Sequence, residues 1–184
     1  MNTVTESLQK RVSFPRLTSP APAGETLTAI LKCALRAPDH ALLRPWRFMV
    51  YQESSLNQLT DIFVAAGEAQ ENMDELQMNK LRSMAHRAPM VIVCVASYQD
   101  HPKVPRQEQL LSAGCAVAYM LAAIQAEGFG AIWRTGPMAT DPIVCSGLGL
   151  SESEEIVGFL YVGTPLGDPK TIPEIPLDQF FVFK

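Results

Sequence analysis

Apolar residues follow two different spacings along this chain, and these spacings predict its helices and strands. Within residues 24–37 they recur three and four positions apart, which predicts a helix that Pro38 ends. Residues 89–96 are a nearly unbroken, largely β-branched run, typical of a strand buried on both faces. Residues 106–127 are apolar on almost every side and predict the longest helix. Shorter patterns predict helices at 4–11, 56–67, 72–86 and 142–148, strands at 48–51, within 128–136 and at 155–165, and extended segments at 13–23 and 171–183.

No repeat or linker divides the chain, which predicts a single domain over residues 1–184. In this domain, helices are expected on both sides of several apolar strands. The order of elements leaves an α+β and an α/β sandwich open. Ser112, Gly114 and Gln125 interrupt the longest helix, which favours a core helix of a soluble fold over a membrane span. The apolar, proline-rich tail is expected to pack on another surface, such as a second subunit.

Charge and cysteine content limit the functional classes. The chain has 15 basic and 19 acidic residues, a net charge of -4, so we expect no general attraction to nucleic acid or membrane. The four cysteines are far apart and form no C-x-x-C pair, which favours free thiols over disulfides or zinc ligands. With only three histidines, no metal site is expected. The N-terminus lacks a signal-peptide pattern, so we expect a cytoplasmic protein.

The segment of residues 34–50, between a predicted helix and a predicted strand, concentrates side chains that bind anions. It contains Arg36, His40, Arg44 and Arg47. Loops carry function more often than the elements they join, and guanidinium groups bind anions well. The segment therefore predicts a local site for a planar, negatively charged ligand. No glycine-rich nucleotide-binding motif, zinc-protease motif or nucleophile-elbow serine is present to support another class.

Seven short motifs occur in a fixed order along the chain. They are Arg11-Val-Ser13 with Arg16, Arg36-Ala-Pro-Asp-His40, Pro45-Trp-Arg-Phe48, Lys103-Val-Pro-Arg-Gln-Glu108, Ser112-Ala-Gly-Cys-Ala116, Gly128-Phe-Gly-Ala-Ile-Trp-Arg134 and Val157-Gly-Phe-Leu-Tyr-Val-Gly-Thr-Pro165. Each motif is weak alone, but as an ordered set they resemble the FMN-dependent nitroreductases over essentially the whole chain.

This resemblance implies an α+β fold with a mainly antiparallel central sheet flanked by helices, and a C-terminal tail that packs on the partner subunit. It also implies a homodimer that holds FMN between its subunits. NADH or NADPH would reduce the flavin, and a nitroaromatic, quinone or similar acceptor would then take the same place in a ping-pong mechanism. Because the flavin carries the chemistry, no catalytic side chain is expected.

The resemblance further implies which residues contact the cofactors. The Arg-x-Ser segment would meet the flavin phosphate, which a guanidinium and a hydroxyl bind well, and His40 would come from the other subunit. The residues expected at the flavin are Arg11, Val12, Ser13, Arg36, His40, Trp133, Arg134 and Thr135. Those expected at the nicotinamide are Ala123, Ile124, Gln125, Ala126, Glu127 and Gly128.

Two positions and one segment depart from the family pattern. Val12 stands where relatives usually have a second arginine or a polar residue, and Arg44 stands where glutamine is common. These differences leave the preference for NADH or NADPH open. Residues 60–86 are the one candidate for a lid over the flavin, and their shortness predicts an open pocket that tolerates many acceptors.

Structural roles are alternatives for several of these residues. Arg36 could complement a helix dipole, and His40 could be a turn residue. Trp46 is more often a core residue than a ligand contact. Trp133 could be a core residue and Arg134 could form a salt bridge. Arg11 and Ser13 could mark the end of a helix. His86 and His101 lie outside the motifs and are expected to have structural roles.

Two further functional classes stay open beside the oxidoreductase. A flavin-binding or flavin-sequestering protein would bind FMN with little turnover. A related flavin chemistry, such as deiodination or ring fragmentation, would need lid residues that this sequence lacks.

Overall fold

A five-stranded antiparallel sheet runs through the computed structural model, which describes residues 3–184. Its strands are β1 (Leu17–Thr18), β2 (Trp46–Gln52), β3 (Met90–Ser97), β4 (Gly130–Arg134) and β5 (Glu154–Pro165). β5 is central and pairs with β1, β3 and β4, while β2 pairs with β3. Every pairing among the described strands is antiparallel, so the predicted α+β fold is confirmed and the α/β alternative is excluded.

Helices cover both faces of this sheet. In the described chain they are α1 (Thr3–Gln9), α2 (Gly24–Ala34), α3 (Ser55–Glu68), α4 (Glu75–Arg82), α5 (Arg106–Ala126) and α6 (Pro142–Gly147). The Asp74 carboxylate accepts the Gln77 backbone N–H at the start of α4, and Asp141 caps α6 in the same way. Gly128 follows α5 with a φ of 81°, which glycine adopts without steric cost.

Alternating side chains of β3 divide the core into two halves. Val91, Val93 and Val95 pack with α3, α4 and α6, whereas Ile92 and Cys94 pack with α2 and α5 on the other face. All five side chains are buried. The prediction of a strand buried on both faces is therefore confirmed, and the fold is a sheet between two layers of helices.

α5 supplies most of one helical layer. Ala116, Met120 and Ile124 are fully buried against the sheet. By length and composition α5 could cross a membrane, but one such helix is a weak indication because core helices of soluble proteins meet the same test. Its opposite face leaves Leu111 and Tyr119 exposed in a single copy of the chain.

Several element boundaries differ from the predicted ones. The predicted helix at 72–86 is shorter, because Asp74 caps its start and the chain leaves the helix after Arg82 for a short turn at Ala85–Arg87. The helix predicted at 24–37 ends at Ala34, and the backbone N–H groups of residues 36 and 37 bond three residues back in tighter turns before Pro38. The helix predicted at 4–11 ends at Gln9.

The C-terminal tail after β5 has no regular structure beyond a short turn at Leu177–Gln179. Its last aromatic residues, Phe180, Phe181 and Phe183, are 68%, 59% and 90% exposed in a single copy. Packing of this tail on a partner subunit stays a prediction. So does the single domain over 1–184, whose first two residues lie outside the described ones.

Candidate functional site

The loop of residues 11–13 is held by its backbone. The Val12 N–H donates to Gln125 Oε1 at 2.9 Å, at the end of α5, and the Phe14 N–H donates to the Ala131 carbonyl at 3.0 Å, near the start of β4. Within residues 3–184, the partly buried side chains of Arg11 and Ser13 have no hydrogen-bond or ion-pair partner. Their donors are therefore available to a ligand.

The contact between Val12 and Gln125 joins two groups that the sequence predicted separately, one for flavin and one for nicotinamide. It uses the backbone of Val12, so a valine serves here as well as a polar residue would. In the rest of the segment 123–128, Ile124 is fully buried in the core, while Glu127 and Gly128 are exposed at the helix end.

Trp133 lies in β4 on the side of the sheet that α5 covers. A β-bulge in β5 makes Val157 the extra residue opposite β3, and the Val157 carbonyl accepts the Trp133 indole N–H at 3.2 Å. Gly158 leaves room for the ring, because a Cβ there would lie 2.1 Å from Trp133 Nε1. This geometry fixes the tryptophan and agrees with a structural role.

Arg134, the next residue, faces the opposite side of the sheet. It lines a cavity of about 340 Å³ together with Arg87, Thr135 and the aromatic side chains of Phe159 and Tyr161. Its Nε atom is buried and has no hydrogen-bond partner in the described chain. The salt bridge considered from the sequence for Arg134 is therefore absent from residues 3–184.

The segment after α2 is strained. Ala41, Leu42 and Arg44 have positive φ angles of 61°, 55° and 49°, which cost energy for residues other than glycine. The Asp39 carboxylate accepts the Arg44 backbone N–H at 2.7 Å and holds this conformation. His40 Nδ1 lies 2.9 Å from Glu108 Oε2 in the first turn of α5. Backbone strain of this kind is common at functional sites.

Arg36 is separated from His40 and lines an apolar groove between α1 and α5. We call this the α1–α5 groove; it has a volume of about 510 Å³, and Leu8, Cys33, Tyr119 and Ala123 are among its lining residues. A single copy of the chain therefore does not gather the predicted residues at one point. The groove of Arg36 adjoins the loop 11–13, since Leu8 accepts the Arg11 N–H and Ala126 follows the Gln125 that binds Val12, whereas His40 and Arg134 lie elsewhere.

The remaining candidates from the anion-rich segment have structural partners. Arg47 makes two hydrogen bonds of 2.8 and 2.9 Å to the Glu154 carboxylate, and Trp46 packs against the core beside α5. The hydrogen bond from Arg47 lowers the pKa of Glu154. His101 accepts a backbone N–H from Lys103, which agrees with its predicted structural role.

A polar cluster joins the end of β3 to α5 and β5. Tyr98 donates its hydroxyl hydrogen to Glu155, and Arg106 bonds the same carboxylate at 2.7 Å while its guanidinium lies 3.9 Å from the Tyr98 ring centroid. Burial, followed by the Glu155 hydrogen bond, raises the pKa of Tyr98 to about 12. Burial alone would raise the pKa of Glu155, but the hydrogen bonds from Tyr98 and Arg106 outweigh it and leave that pKa lowered.

Sequence reasoning missed Arg87 and Tyr161 as site residues. Arg87 comes directly after the helix predicted at 72–86, and no motif marks it. Tyr161 lies in an apolar strand, and its alternation with Leu160 shows only that the two side chains point to opposite faces. Knowledge of the pairing of β4 with β5, which places Arg134 opposite Phe159, would have indicated Tyr161 two residues further along on the same face, but not Arg87.

Comparison with known proteins agrees with this fold. A sequence profile described as "Nitroreductase family" matches residues 8–164. The chain belongs to the nitroreductase family. It is 41% identical over 181 residues to the putative NAD(P)H nitroreductase YdjA of Escherichia coli K12, covering 96% of each chain.

Solved structures share the fold at lower identity. A nitroreductase-like family protein from Bacillus cereus superposes with a TM-score of 0.85 at 20% identity, covering 100% of this chain and 97% of the other. A nitroreductase with bound FMN from Bacteroides fragilis superposes with a TM-score of 0.76 at 18% identity, covering 100% of both chains. The predicted family and fold are thus confirmed.

Proposed function

We propose that this chain is an FMN-dependent oxidoreductase that uses NADH or NADPH to reduce nitroaromatic, quinone or similar acceptors by a ping-pong mechanism. The observation that carries the proposal is the loop of residues 11–13. Its backbone is fixed to α5 and β4, and the side chains of Arg11 and Ser13 are left without a partner in the described chain. Because the chain belongs to the nitroreductase family, we interpret this loop as the site that binds the flavin phosphate.

FMN fits the chemistry of this loop. A phosphate carries about two negative charges near pH 7 and is bound well by a guanidinium, a hydroxyl and backbone donors. Arg11 and Ser13 offer the first two groups. Because the net charge of the chain is -4, its attraction for a dianion has to be local, as it is here. When bound, the flavin would supply the hydride chemistry, and the protein would orient it.

The separation of His40 from this loop supports a site built by two copies of the chain. His40 contacts Glu108 near the start of α5, whereas Val12 contacts Gln125 near its end. These helix positions are about 25 Å apart at a rise of 1.5 Å per residue, further than an extended FMN reaches. We therefore assign His40 to the flavin of the partner subunit.

Exposed apolar surface gives the second argument for a homodimer. The α1–α5 groove and the outer face of α5 are uncovered in one copy, and so are the phenylalanines of the tail. Apolar patches of this kind mark association surfaces. In the dimer we expect the tail to pack on the partner, and we expect Arg36, beside the groove, to reach the shared cofactor.

The nicotinamide and the acceptor would occupy the open side of the flavin in turn. The strand end formed by Trp133, Arg134 and Thr135 is assigned to the flavin, and the segment 123–128 to the nicotinamide. Since Ile124 is buried, we expect this segment to contribute backbone atoms and its exposed end rather than that side chain. The four cysteines are all free, as expected of a protein in the reducing cytoplasm.

Anaerobic stopped-flow mixing tests the proposal. FMN-loaded protein is mixed with NADH or NADPH while the flavin absorbance is followed, and the reduced protein is then mixed with a nitroaromatic or a quinone. We expect bleaching in the first step and recovery in the second. Tight FMN binding without bleaching by either nucleotide would favour the flavin-sequestering alternative, and failure to bind FMN would reject both.

Variants test the assigned residues. Arg11→Gln and Arg36→Ala should each weaken FMN retention, whereas Arg82→Gln, an exposed arginine on α4 that pairs with Glu75, is the matched control. FMN affinity should also fall on dilution below the dimer dissociation constant, which sedimentation measures independently. FMN content that is the same in all three variants would move the site elsewhere.

A further inference from the structure

The loop of residues 39–44, which we call the His40 loop, is strained and yet held in one conformation. Ala41, Leu42 and Arg44 have positive φ angles, which residues other than glycine rarely adopt. Such strain persists only where surrounding contacts fix the backbone. The Asp39 carboxylate supplies one contact from within the loop, by accepting the Arg44 N–H. Other contacts come from outside the loop, from the end of β3 and the start of α5.

Gln99, two residues after β3, holds the end of the His40 loop. Its side-chain Nε2 donates to the Leu43 carbonyl at 2.6 Å. Just beyond the loop, the Pro45 carbonyl accepts the Ser97 backbone N–H at 3.2 Å, which continues the pairing of β2 with β3. The Gln99 amide therefore extends the sheet contacts by one step and ties the irregular backbone of the loop to β3.

Gln109, in the first turns of α5, fixes the backbone of Gln99. Among residues 3–184 it is the one amide or charged side chain that is buried, with 2% exposure. Its Oε1 accepts the Gln99 backbone N–H at 3.0 Å, and its Nε2 donates to the carbonyls of Gln99 and Val104 at 2.8 and 3.2 Å. A glutamate could not replace it, because a carboxylate has no donor for the two carbonyls. Gln109 therefore determines where the Gln99 side chain starts.

Glu108, the residue before Gln109, contacts the other end of the His40 loop. Its Oε2 lies 2.9 Å from His40 Nδ1. Because a carboxylate only accepts, the hydrogen of this contact lies on Nδ1, and Nε2 is left for another partner. The two side chains are 54% and 47% exposed, and ion pairs so exposed hold a side chain weakly. The position of His40 therefore depends also on the contacts that hold the rest of the loop.

The hydrogen bond between Gln99 and Leu43 has a geometric consequence more than an energetic one. Gln99 is exposed, so water could satisfy its amide and the Leu43 carbonyl if the bond were absent. Burial thus does not require this bond. What the bond adds is a fixed position for the end of the His40 loop, while Glu108 contacts its start.

We propose that Gln99 and Gln109 are positioning residues of the flavin site, which hold the His40 loop in the conformation that lets His40 reach the flavin of the partner subunit. This rests on the proposed function, in which His40 contacts that flavin. Gln109 acts through the backbone of Gln99, and Gln99 acts through Leu43 and His40. Neither glutamine is assigned a contact with the cofactor, and no covalent step is involved.

Hydrogen exchange of the full-length protein, saturated with FMN, tests the loop without turnover. Gln99→Met removes the donor at similar side-chain length. Gln107→Met is the matched control, because Gln107 is exposed in α5 and its side chain has no hydrogen bond within residues 3–184. In Gln99→Met we expect the amides of Arg44 and Trp46 to exchange about 3- to 10-fold faster, the factor that one neutral hydrogen bond gives in an opening equilibrium. Exchange equal to that of the control would overturn the proposal.

A double-mutant cycle tests whether Gln99 acts through His40. Quenching of FMN fluorescence gives the dissociation constant for the wild type, Gln99→Met, His40→Ala and the double variant. Gln99→Met should weaken FMN binding by about 3- to 10-fold in the wild type but by less than about 2-fold in the His40→Ala background, because the side chain that it positions is gone. A general loss of structure would give equal losses in both backgrounds, and that result would overturn the proposal.

Variants with and without a donor identify the hydrogen bond as the cause. Gln99→Lys keeps an N–H donor of similar reach and should restore slow exchange at Arg44 and Trp46, whereas Gln99→Glu, which has no donor, should not. Gln109→Met should loosen the loop at least as much as Gln99→Met. Because it also leaves three backbone groups without a partner, the exposed position 99 carries the test if Gln109→Met does not fold. Fast exchange in Gln99→Lys would reject the proposal.

The wild type separates this proposal from the proposed function. If the wild-type protein fails to bind FMN, the proposed function is wrong and the role of the two glutamines falls with it. If the wild type binds FMN and NADH or NADPH reduces it, but Gln99→Met changes neither loop exchange nor FMN affinity, only the positioning role is rejected.

Discussion

Replacing Gly158 with alanine should destabilise the fold through one side chain, Trp133. The added Cβ would lie 2.1 Å from Trp133 Nε1 and 2.8 Å from the Arg134 carbonyl, so the indole has to move. Moving it breaks the hydrogen bond to the Val157 carbonyl. Gly158 also has a φ of 155°, which an alanine adopts only with strain.

These three effects determine how far the free energy of unfolding decreases. Overpacking a filled core costs about 1–3 kcal/mol, a lost hydrogen bond about 1 kcal/mol, and an unfavourable φ about 1–3 kcal/mol. Since the indole relieves part of the clash by moving, we expect a decrease of about 3–5 kcal/mol in the free energy of unfolding. At about 2–4 °C per kcal/mol for a domain of this size, the melting temperature should fall by about 10 °C.

Urea unfolding, monitored by tryptophan fluorescence, measures the decrease in the free energy of unfolding. Gly114→Ala is the matched control. A Cβ on Gly114 would meet the far end of the same ring, Trp133 Cη2, at 3.9 Å, an ordinary contact. Because alanine favours a helix over glycine, this variant should be unchanged or more stable by up to about 1 kcal/mol.

A double-mutant cycle identifies the cause. In a Trp133→Leu background, Gly158→Ala should cost clearly less than in the wild type, because the atom that clashes is gone. The strain at φ and the contact with the Arg134 carbonyl would still act. The reasoning is refuted if Gly158→Ala costs under about 1 kcal/mol, or if its cost is the same with and without Trp133.

Three other predictions concern titratable groups. Glu154→Gln should lower stability by about 1 kcal/mol near neutral pH, discounted for the partial exposure of Arg47. Because the fold lowers the pKa of Glu154, acid denaturation curves should show this difference decreasing once the pH falls below the usual glutamate value of about 4.3 and disappearing as the pH passes the lower pKa of the folded state. Tyr98 should ionise near pH 12 in an ultraviolet titration. Since an unfolded tyrosine ionises near 10, the stability that Tyr98 confers should be lost as the pH rises from about 10 to about 12, and the stability of Tyr98→Phe should depend less on pH there than that of the wild type. Burial raises the pKa of the Cys94 thiol, so a thiol reagent should label Cys94 only after the protein unfolds, which mass spectrometry of native and urea-treated samples measures.

Apolar spacing predicted most of the fold because burial imposes it directly. The run at 89–96 could be recognised as a central strand, since only a strand covered on both faces tolerates so many consecutive apolar residues. Boundaries depended on single side chains instead. Asp74 starts α4 late, and no periodicity in the sequence indicates that choice. Antiparallel pairing came from the resemblance, because spacing alone left the α/β alternative open.

The candidate site was harder to predict, because its parts come from distant segments. The loop 11–13 was identified by motif, yet its anchoring by Gln125 depends on how α1 meets the end of α5. His40 and Arg36 are four residues apart in sequence, but His40 contacts Glu108 while Arg36 lines the α1–α5 groove. Such separation follows from the packing of the elements, which the sequence pattern does not contain.

Trp133 and Arg134 show why a motif is an incomplete guide to a site. The motif treats them as one group, but successive residues of a strand point to opposite faces of the sheet. Trp133 therefore fills the space above Gly158, and Arg134 faces the cavity with Arg87 and Tyr161. The two residues must then have different tasks: the tryptophan fixes the strand end, and the unpaired arginine is available to an anion. Replacing Trp133 should therefore lower the free energy of unfolding, whereas replacing Arg134 should weaken the binding of an anionic ligand.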